Sequence, residues 1–171
     1  EALGEMVGLV FVGEAEGECV GAFDGFEING EGVGLRDGFD VDGDRDGLRD
    51  GLAVERHNRM HPGAKKPQQS FVSQQLADRK GPVIAATDYM RLYAEQIRPY
   101  INQRYTTLGT DGFGRSDTRA QLRHFFEVDA KFIVLAALDS LVQEGQLQES
   151  VLVDAMKRYG IDANKVEPWN C

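Results

Sequence analysis

Gly81-Pro82-Val83-Ile84-Ala85-Ala86-Thr87, then Met90 to Ile97, then Arg104-Tyr105-Thr106-Thr107-Leu108 is the stretch that decides the fold. Pro82 to Thr87 is a compact, partly β-branched apolar run of the length of a strand buried on both faces. Met90, Tyr93, Ala94 and Ile97 recur at helical spacing, and Pro99 ends the pattern. Thr87 or Asp88 is placed to cap that helix. Arg104 to Leu108 reads as a second strand. Strand, helix, strand predicts a right-handed crossover in a parallel sheet.

Downstream, the elements are helical. Ser116 or Thr118 caps a helix with Gln121 as reciprocal partner, turning Leu122, Phe125 and Phe126 inward and stopping near Val128. Asp129 caps a longer helix through Glu144, with Phe132, Leu135, Ala136, Leu138, Leu141 and Val142 as its apolar face and Gly145 as its end. A last amphipathic helix runs from Ser150 to Tyr159, with Lys157 and Arg158 at its carboxyl end, and stops at Gly160. Upstream, Ser70 to Ala77 reads as a short helix. His61-Pro-Gly-Ala-Lys-Lys-Pro67 reads as a basic loop.

The 171 residues hold 19 basic and 28 acidic side chains, a net charge of −9. That balance argues against a general binder of nucleic acid or anionic membrane. The average conceals a split: residues 1–52 carry 7 Asp, 7 Glu, 3 Arg and no Lys, whereas residues 53–171 carry a net +2. No apolar run approaches the ~20 residues of a membrane helix, and an acidic start is wrong for a signal peptide. Two cysteines, Cys19 and Cys171, give no disulfide framework and point to a reducing cytoplasm.

Residues 1–52 fall into thirteen-residue blocks, EALGEMVGLVFVG, EAEGECVGAFDGF, EINGEGVGLRDGF and DVDGDRDGLRDGL, with glycines aligned at 4, 17, 30, 43 and at 8, 21, 34, 47. Thirteen of these residues are Gly, so no independently stable core is expected from residues 1–48. Three readings stand for them. Asp42, Asp44, Asp46 and Asp50 fit the opening of a calcium loop, but position twelve is Ala53 rather than a bidentate acid. A solvated acidic tail is the second reading; an arm that binds calcium or contacts a partner would instead make the chain a non-catalytic binding module fused to a stabilising α/β domain. The third is repetitive G-rich DNA read in some frame, since 36 of the 52 residues are Gly, Asp, Glu, Val or Ala, whose codons begin with G. The chain begins with Glu, which suits a fragment or processed product.

Candidate chemistry is sparse. His57 and His61 are spaced as a helical zinc pair, but Pro62 follows and no third ligand is placed. His124, beside Phe125, reads as a surface or packing residue. Gly112-Phe113-Gly114 before a helix start invites a phosphate-loop reading. It lacks the P-loop Lys, and Asp111 and Asp117 oppose an anion, so a turn that positions Phe113 is favoured. No nucleophile, base and orienter can be assigned.

Leu108-Gly-Thr-Asp-Gly-Phe-Gly-Arg-Ser-Asp-Thr-Arg119, followed by Leu122-Arg-His-Phe-Phe-Glu-Val-Asp129, closely resembles the carboxy-terminal domain of the homodimeric-type pyruvate dehydrogenase family. Gly81 to Met90 with Glu95-Gln-Ile-Arg98, Arg49 to Pro62, and Ile161 to Pro168 carry the same resemblance, which covers about residues 49–170 in continuous order. It implies a three-layer α/β domain of the transketolase carboxy-terminal type over 49–171, with a mostly parallel sheet, in a homodimer. It also implies an enzyme that uses thiamine diphosphate and Mg2+ to decarboxylate pyruvate and passes the acetyl unit to lipoyl groups of dihydrolipoyl acetyltransferase. The family's Gly-Asp-Gly cofactor motif with its paired Asn and its catalytic histidines lie upstream of the matched region. This chain is therefore expected to bind no cofactor by itself, to supply no catalytic residue and to act as a structural and dimerisation domain. Asp111, Gly112, Phe113, Gly114, Ser116 and Asp117 are expected to shape a structural or interface loop. Before Arg49 the repeat replaces the strand that relatives place there, which predicts a lost first strand, an unpaired sheet edge and self-association.

Overall fold

The computed structural model describes residues 8–9, 22–23, 26–27 and 41–170, with side chains over 47–170. The strands are β1 (Gly8–Leu9), β2 (Ala22–Phe23), β3 (Phe26–Glu27), β4 (Val83–Ala86) and β5 (Tyr105–Leu108). The helices are α1 (Val41–Met60), α2 (Phe71–Leu76), α3 (Arg91–Glu95), α4 (Arg119–Phe125), α5 (Ala130–Gln143) and α6 (Glu149–Tyr159). β4 and β5 run parallel, with Val83 opposite Tyr105 and Ala86 opposite Leu108. β1 pairs parallel to the other edge of β4, Gly8 with Val83 and Leu9 with Ile84. β2 and β3 form a separate antiparallel pair.

Alternation along β4 builds the three layers. Val83 and Ala85 face one way into a cluster with Val72, Leu76, Ala94, Ile97, Tyr100 and Tyr105, covered by α1, α2 and α3. Ile84 faces the other way onto Ile133 and Ala137 of α5, with Ala86, Leu108 and Ala136 around them. Val83, Ile84 and Ala85 are almost wholly buried, as the apolar run from Pro82 to Thr87 demands. α6 packs outside α5. Among the described residues no helix is long and apolar enough to cross a membrane.

Caps set most helix ends. Ser70 accepts from the Ser73 N–H at 3.2 Å and starts α2. Thr118 rather than Ser116 starts α4, accepting from the Gln121 N–H. Asp129 starts α5 by accepting from the N–H groups of Lys131 and Phe132. Gly145 and Gly160, at φ +73° and +65°, supply the left-handed residues that follow α5 and α6.

Three details differ from the periodicity. α3 is only five residues long, with Met90 outside it and exposed; a 3-10 turn over Arg98–Tyr100, carrying Pro99 in its first turn, takes over. Of the α4 residues expected to face inward, Phe126 is buried, whereas Leu122 and Phe125 are half-buried. On α5, Ile133 and Ala137 make the sheet contact. The layer on its other side, α6, takes part of the wider face, so periodicity alone did not separate the two.

Candidate interaction site at the carboxyl ends of the strands

β4 and β5 end on the same side of the sheet, so the segments 87–90 and 109–117 meet there, the usual place for function in open α/β sheets. The Thr110 N–H donates to the Tyr89 carbonyl at 2.9 Å, and its hydroxyl donates to the Asp88 carbonyl at 3.0 Å. Gly109 makes this lacing possible: a Cβ there would meet the Arg91 nitrogen at 2.6 Å and the Tyr89 oxygen at 2.7 Å.

Asp111 is the hinge of the loop. One carboxylate oxygen accepts from the Arg91 backbone N–H at 3.2 Å and the other accepts from the Arg91 guanidinium. α3 has no side-chain cap of its own, so a residue twenty positions away caps it. Thr87 and Asp88 are used otherwise. The Thr87 hydroxyl accepts from the Tyr89 N–H, while Asp88 accepts from Arg123 at 3.0 and 2.6 Å and lies 3.6 Å from Arg119.

The carboxy-terminal segment closes over this loop. Lys165 donates to the carbonyls of His124 and Phe125 and to Glu127, which fixes the strap that follows α6. Gly112 lies under it at φ +112°, and a Cβ there would meet the Pro168 oxygen at 2.8 Å. Trp169 then sits with the Arg91 guanidinium 5.0 Å from its ring centre. Arg115 covers the Phe125 ring at 4.2 Å, and Asp117 accepts from the Thr118 N–H. Gly114 and Ser116 lie on the exposed side of the turn.

What this scaffold presents is apolar. Phe113 is 80% exposed, Leu92 64%, Tyr89 and Trp169 47% each, and Met90 38%. Bulky apolar groups thus stand exposed on a laced, ion-paired loop, the kind of patch from which contact surfaces are built. The acids around it are committed: Asp88 to Arg123, Asp111 to Arg91 and Asp117 to a backbone N–H.

The other candidates lie elsewhere. Asp42, Asp44 and Asp46 fall in the first turns of α1, on helical backbone, and their side chains lie outside the described residues. Asp50, farther along α1, accepts from the Phe71 N–H at 2.6 Å and so tethers α2. His57 and His61 stack with ring centres 4.2 Å apart, and His61 Nδ1 lies 2.8 Å from the His57 carbonyl at the end of α1. His124 Nδ1 lies 2.9 Å from Asp129, the cap of α5. Among the described residues no group of three or more His, Cys, Asp or Glu is arranged for a metal ion. Sequence reasoning passed over Tyr89, Arg91 and Trp169. The first two follow a strand end, a position that could have drawn attention to them.

Residues 49–129 match the family model of the transketolase-like carboxy-terminal domain. This segment is a transketolase-type carboxy-terminal domain. The domain and its flanks are 56% identical over 121 residues to the pyruvate dehydrogenase E1 component of Pseudomonas aeruginosa, covering 70% of this chain and 14% of that protein. Identity to the Escherichia coli E1 component is 48% over 115 residues, 67% of this chain and 13% of the relative. For Mycolicibacterium smegmatis it is 46% over 111 residues, 65% of this chain and 12% of the relative. The transketolase-type domain thus spans about one seventh or less of the relatives it matches. The family resemblance carried by Leu108 to Asp129 is shown, and the three-layer α/β class with it.

Proposed function

We propose that residues 49–170 serve as the carboxy-terminal domain of a thiamine diphosphate-dependent pyruvate dehydrogenase, supplying structure and contacts rather than reacting groups. The observation that carries this reading is Phe113. It stands 80% exposed on a loop that Gly109, Asp111 and Gly112 hold in place, and Tyr89, Leu92 and Trp169 are exposed at the same end of the sheet. Such a surface fits burial against the remainder of a pyruvate dehydrogenase polypeptide or its homodimer mate. Dihydrolipoyl acetyltransferase is the partner of the assembled cytoplasmic enzyme, which decarboxylates pyruvate oxidatively and transfers acetyl to lipoyl groups.

The residues present do not fit thiamine diphosphate with Mg2+. The sequence contains neither Gly-Asp-Gly nor paired Asn, and Asp111, the acid beside Gly112, is held by Arg91. No reaction step is therefore assigned to this chain. The 171 residues alone are expected to be inactive. Among the described residues, β1 (Gly8–Leu9) pairs with one edge of β4 over two positions and β5 pairs with the other over four. The reading retains a thirteen-residue repeat in place of a family first strand, with self-association through the sheet edge as its expected consequence.

A chimaera tests the role. Residues 49–170 replace the matching segment of the Pseudomonas aeruginosa enzyme, and activity is measured with pyruvate, thiamine diphosphate and Mg2+. Retained activity is expected; a folded dimeric chimaera without activity would overturn the reading. The 171-residue chain in the same assay is expected to show no turnover, and turnover would overturn the assignment of a purely structural role.

A further inference from the structure

Among the described residues the strand order is β1, β4, β5, so β5 ends the sheet on one side. In a parallel ladder alternate residues turn their backbone groups to the neighbouring strand and the rest turn them outward. The Val83 N–H donates to the Arg104 carbonyl at 2.8 Å and the Thr87 N–H to the Leu108 carbonyl at 3.0 Å. Positions 104, 106 and 108 therefore face β4, while Tyr105 and Thr107 turn their backbone groups to the outer edge. An outward row of this kind is a template for another strand. One ion pair lies across it. Arg98 Nη1 donates to the Tyr105 carbonyl at 2.8 Å, and the guanidinium carbon lies 4.9 Å from the centre of the Tyr105 ring. Glu95 grips the same guanidinium with both carboxylate oxygens, at 2.5 and 2.7 Å, and accepts from the Thr107 hydroxyl as well. The Tyr105 hydroxyl ties this segment down by donating to the Ala94 carbonyl at 2.7 Å. The two residues that β5 turns outward are thus the two that the pair holds.

We propose that the Glu95–Arg98 pair guards the outer edge of β5 against pairing with a second copy of this chain. A half-exposed pair three residues apart adds little to the stability of its own helix. This one instead directs its remaining bonds to β5, one to a backbone carbonyl and one to a side chain two residues on. Two identical edges related by a twofold axis pair antiparallel and self-complementarily. Such a joint needs the Tyr105 carbonyl as an acceptor, and the guanidinium already occupies it. Closing the joint would also desolvate two guanidinium groups at one place, a charge device of the kind that keeps edges apart. The edge involved is not the one along β4 to which β1 pairs. The guard depends on neither the pyruvate dehydrogenase reading nor the apolar groups at the strand ends.

Removing the guard tests it. In the 171-residue chain under reducing conditions, sedimentation is expected to show Arg98→Ala dimerising more tightly than the native chain by about tenfold or more, because each copy of a symmetric pair regains an edge acceptor. Over the same concentration range the Thr107 amide of Arg98→Ala should exchange more slowly as the dimer forms. Arg98→Lys keeps a cationic donor opposite Glu95 and should stay near the native association constant. Asp129→Ala weakens the fold by removing the cap of α5 while leaving the pair intact, and should not tighten dimerisation. If Arg98→Ala loses the native amide shifts of β4 and β5, Glu95→Gln, which loosens the guanidinium, is read in its place with the same direction expected. Dimerisation unchanged by the loss of the pair would overturn the proposal. So would equal tightening in Asp129→Ala, or protection gained at Ile84, Ala86 or Phe113 rather than at Thr107.

Discussion

The Tyr100 ring lies directly against Gly51, so that a Cβ built on Gly51 would fall on the ring carbons. This is how α1 is seated on the domain: the missing side chain admits the ring, and the Tyr100 hydroxyl then donates to Glu55 one turn further along at 3.0 Å. Gly51→Ala sets two effects against each other. Helix propensity favours Ala by about 1 kcal/mol, whereas overpacking a filled interface costs about 1 to 3 kcal/mol. The overlap lies on a ring held at both ends, so overpacking wins. Urea unfolding is expected to show a net loss of stability, with Gly63→Ala as a neutral control because open space surrounds Gly63.

Glu95 gives the domain an acid-sensitive joint. The Arg98 guanidinium, bonded to it at 2.5 and 2.7 Å, holds its carboxyl below the usual value of 4.5; burial opposes this and the Thr107 hydroxyl assists. A carboxyl depressed in the folded state contributes stability that is fully present above 4.5 and is lost as pH falls through the folded value. Arg98→Gln should therefore be less stable than the native chain at pH 7, and the gap should narrow well below pH 4.5. A denaturation midpoint difference that stays constant with pH would assign the effect to the Arg98 contact with the Tyr105 carbonyl instead.

Tyr100 titrates at the other end of the scale. Burial raises its hydroxyl above 10.0, and the bond to Glu55 adds to the effect. A group whose folded value is raised contributes stability that is present below 10.0 and lost as pH climbs toward the folded value. Tyr100→Phe keeps the ring against Gly51 but removes the titration, so its alkaline unfolding should begin at higher pH. The ultraviolet absorbance of tyrosinate, followed alongside circular dichroism, checks this.

How much of this was legible in the sequence follows from the range of the forces involved. The β4–α3–β5 crossover is written in local periodicity, and Thr118, Asp129, Gly145 and Gly160 act within four residues of where they stand. The Asp111 cap on α3 acts across twenty residues, and the seat of Tyr100 on Gly51 acts across forty-nine. Neither leaves a spacing to read. The exposed apolar loop was half legible: Gly112-Phe113-Gly114 announced a turn that presents Phe113. The other exposed aromatics, Tyr89 and Trp169, come from segments that only the parallel register and the Lys165 tie bring to the same end of the sheet.

The long-range cap predicts its own outcome. Asp111→Ala leaves the Arg91 N–H without its acceptor and the Arg91 guanidinium without its charge partner. The loss of a helix cap costs about 1 kcal/mol, and the half-exposed ion pair adds little to it. The change should therefore be modest globally and large locally. Hydrogen exchange is expected to speed at Arg91 and Thr110 while amides of α5 keep their protection. Uniform acceleration across the domain would mean that the loop supports the whole core rather than the first turn of α3.

Phe113 separates contact from stability. A side chain 80% exposed contributes almost nothing to its own domain, so Phe113→Ser should shift the unfolding free energy by less than about 0.5 kcal/mol, as ordinary surface changes do. Gly109 and Gly112 behave oppositely, since a Cβ at either meets backbone atoms at 2.8 Å or less; Gly109→Ala should unfold the joint between the two loops and lower the melting temperature. If the apolar surface buries against a partner, Phe113→Ser transferred to its place in a full-length relative should weaken the dimer or the domain contact, because exposed aromatic anchors carry much of the energy of such surfaces. Sedimentation of the relative at falling concentration reads this directly. Dissociation at higher concentration than the parent, with unchanged melting of the isolated 171-residue chain, is expected. An unchanged dimer with unchanged activity would show that Phe113 faces solvent in the assembled enzyme and would move the interface to another face of the domain.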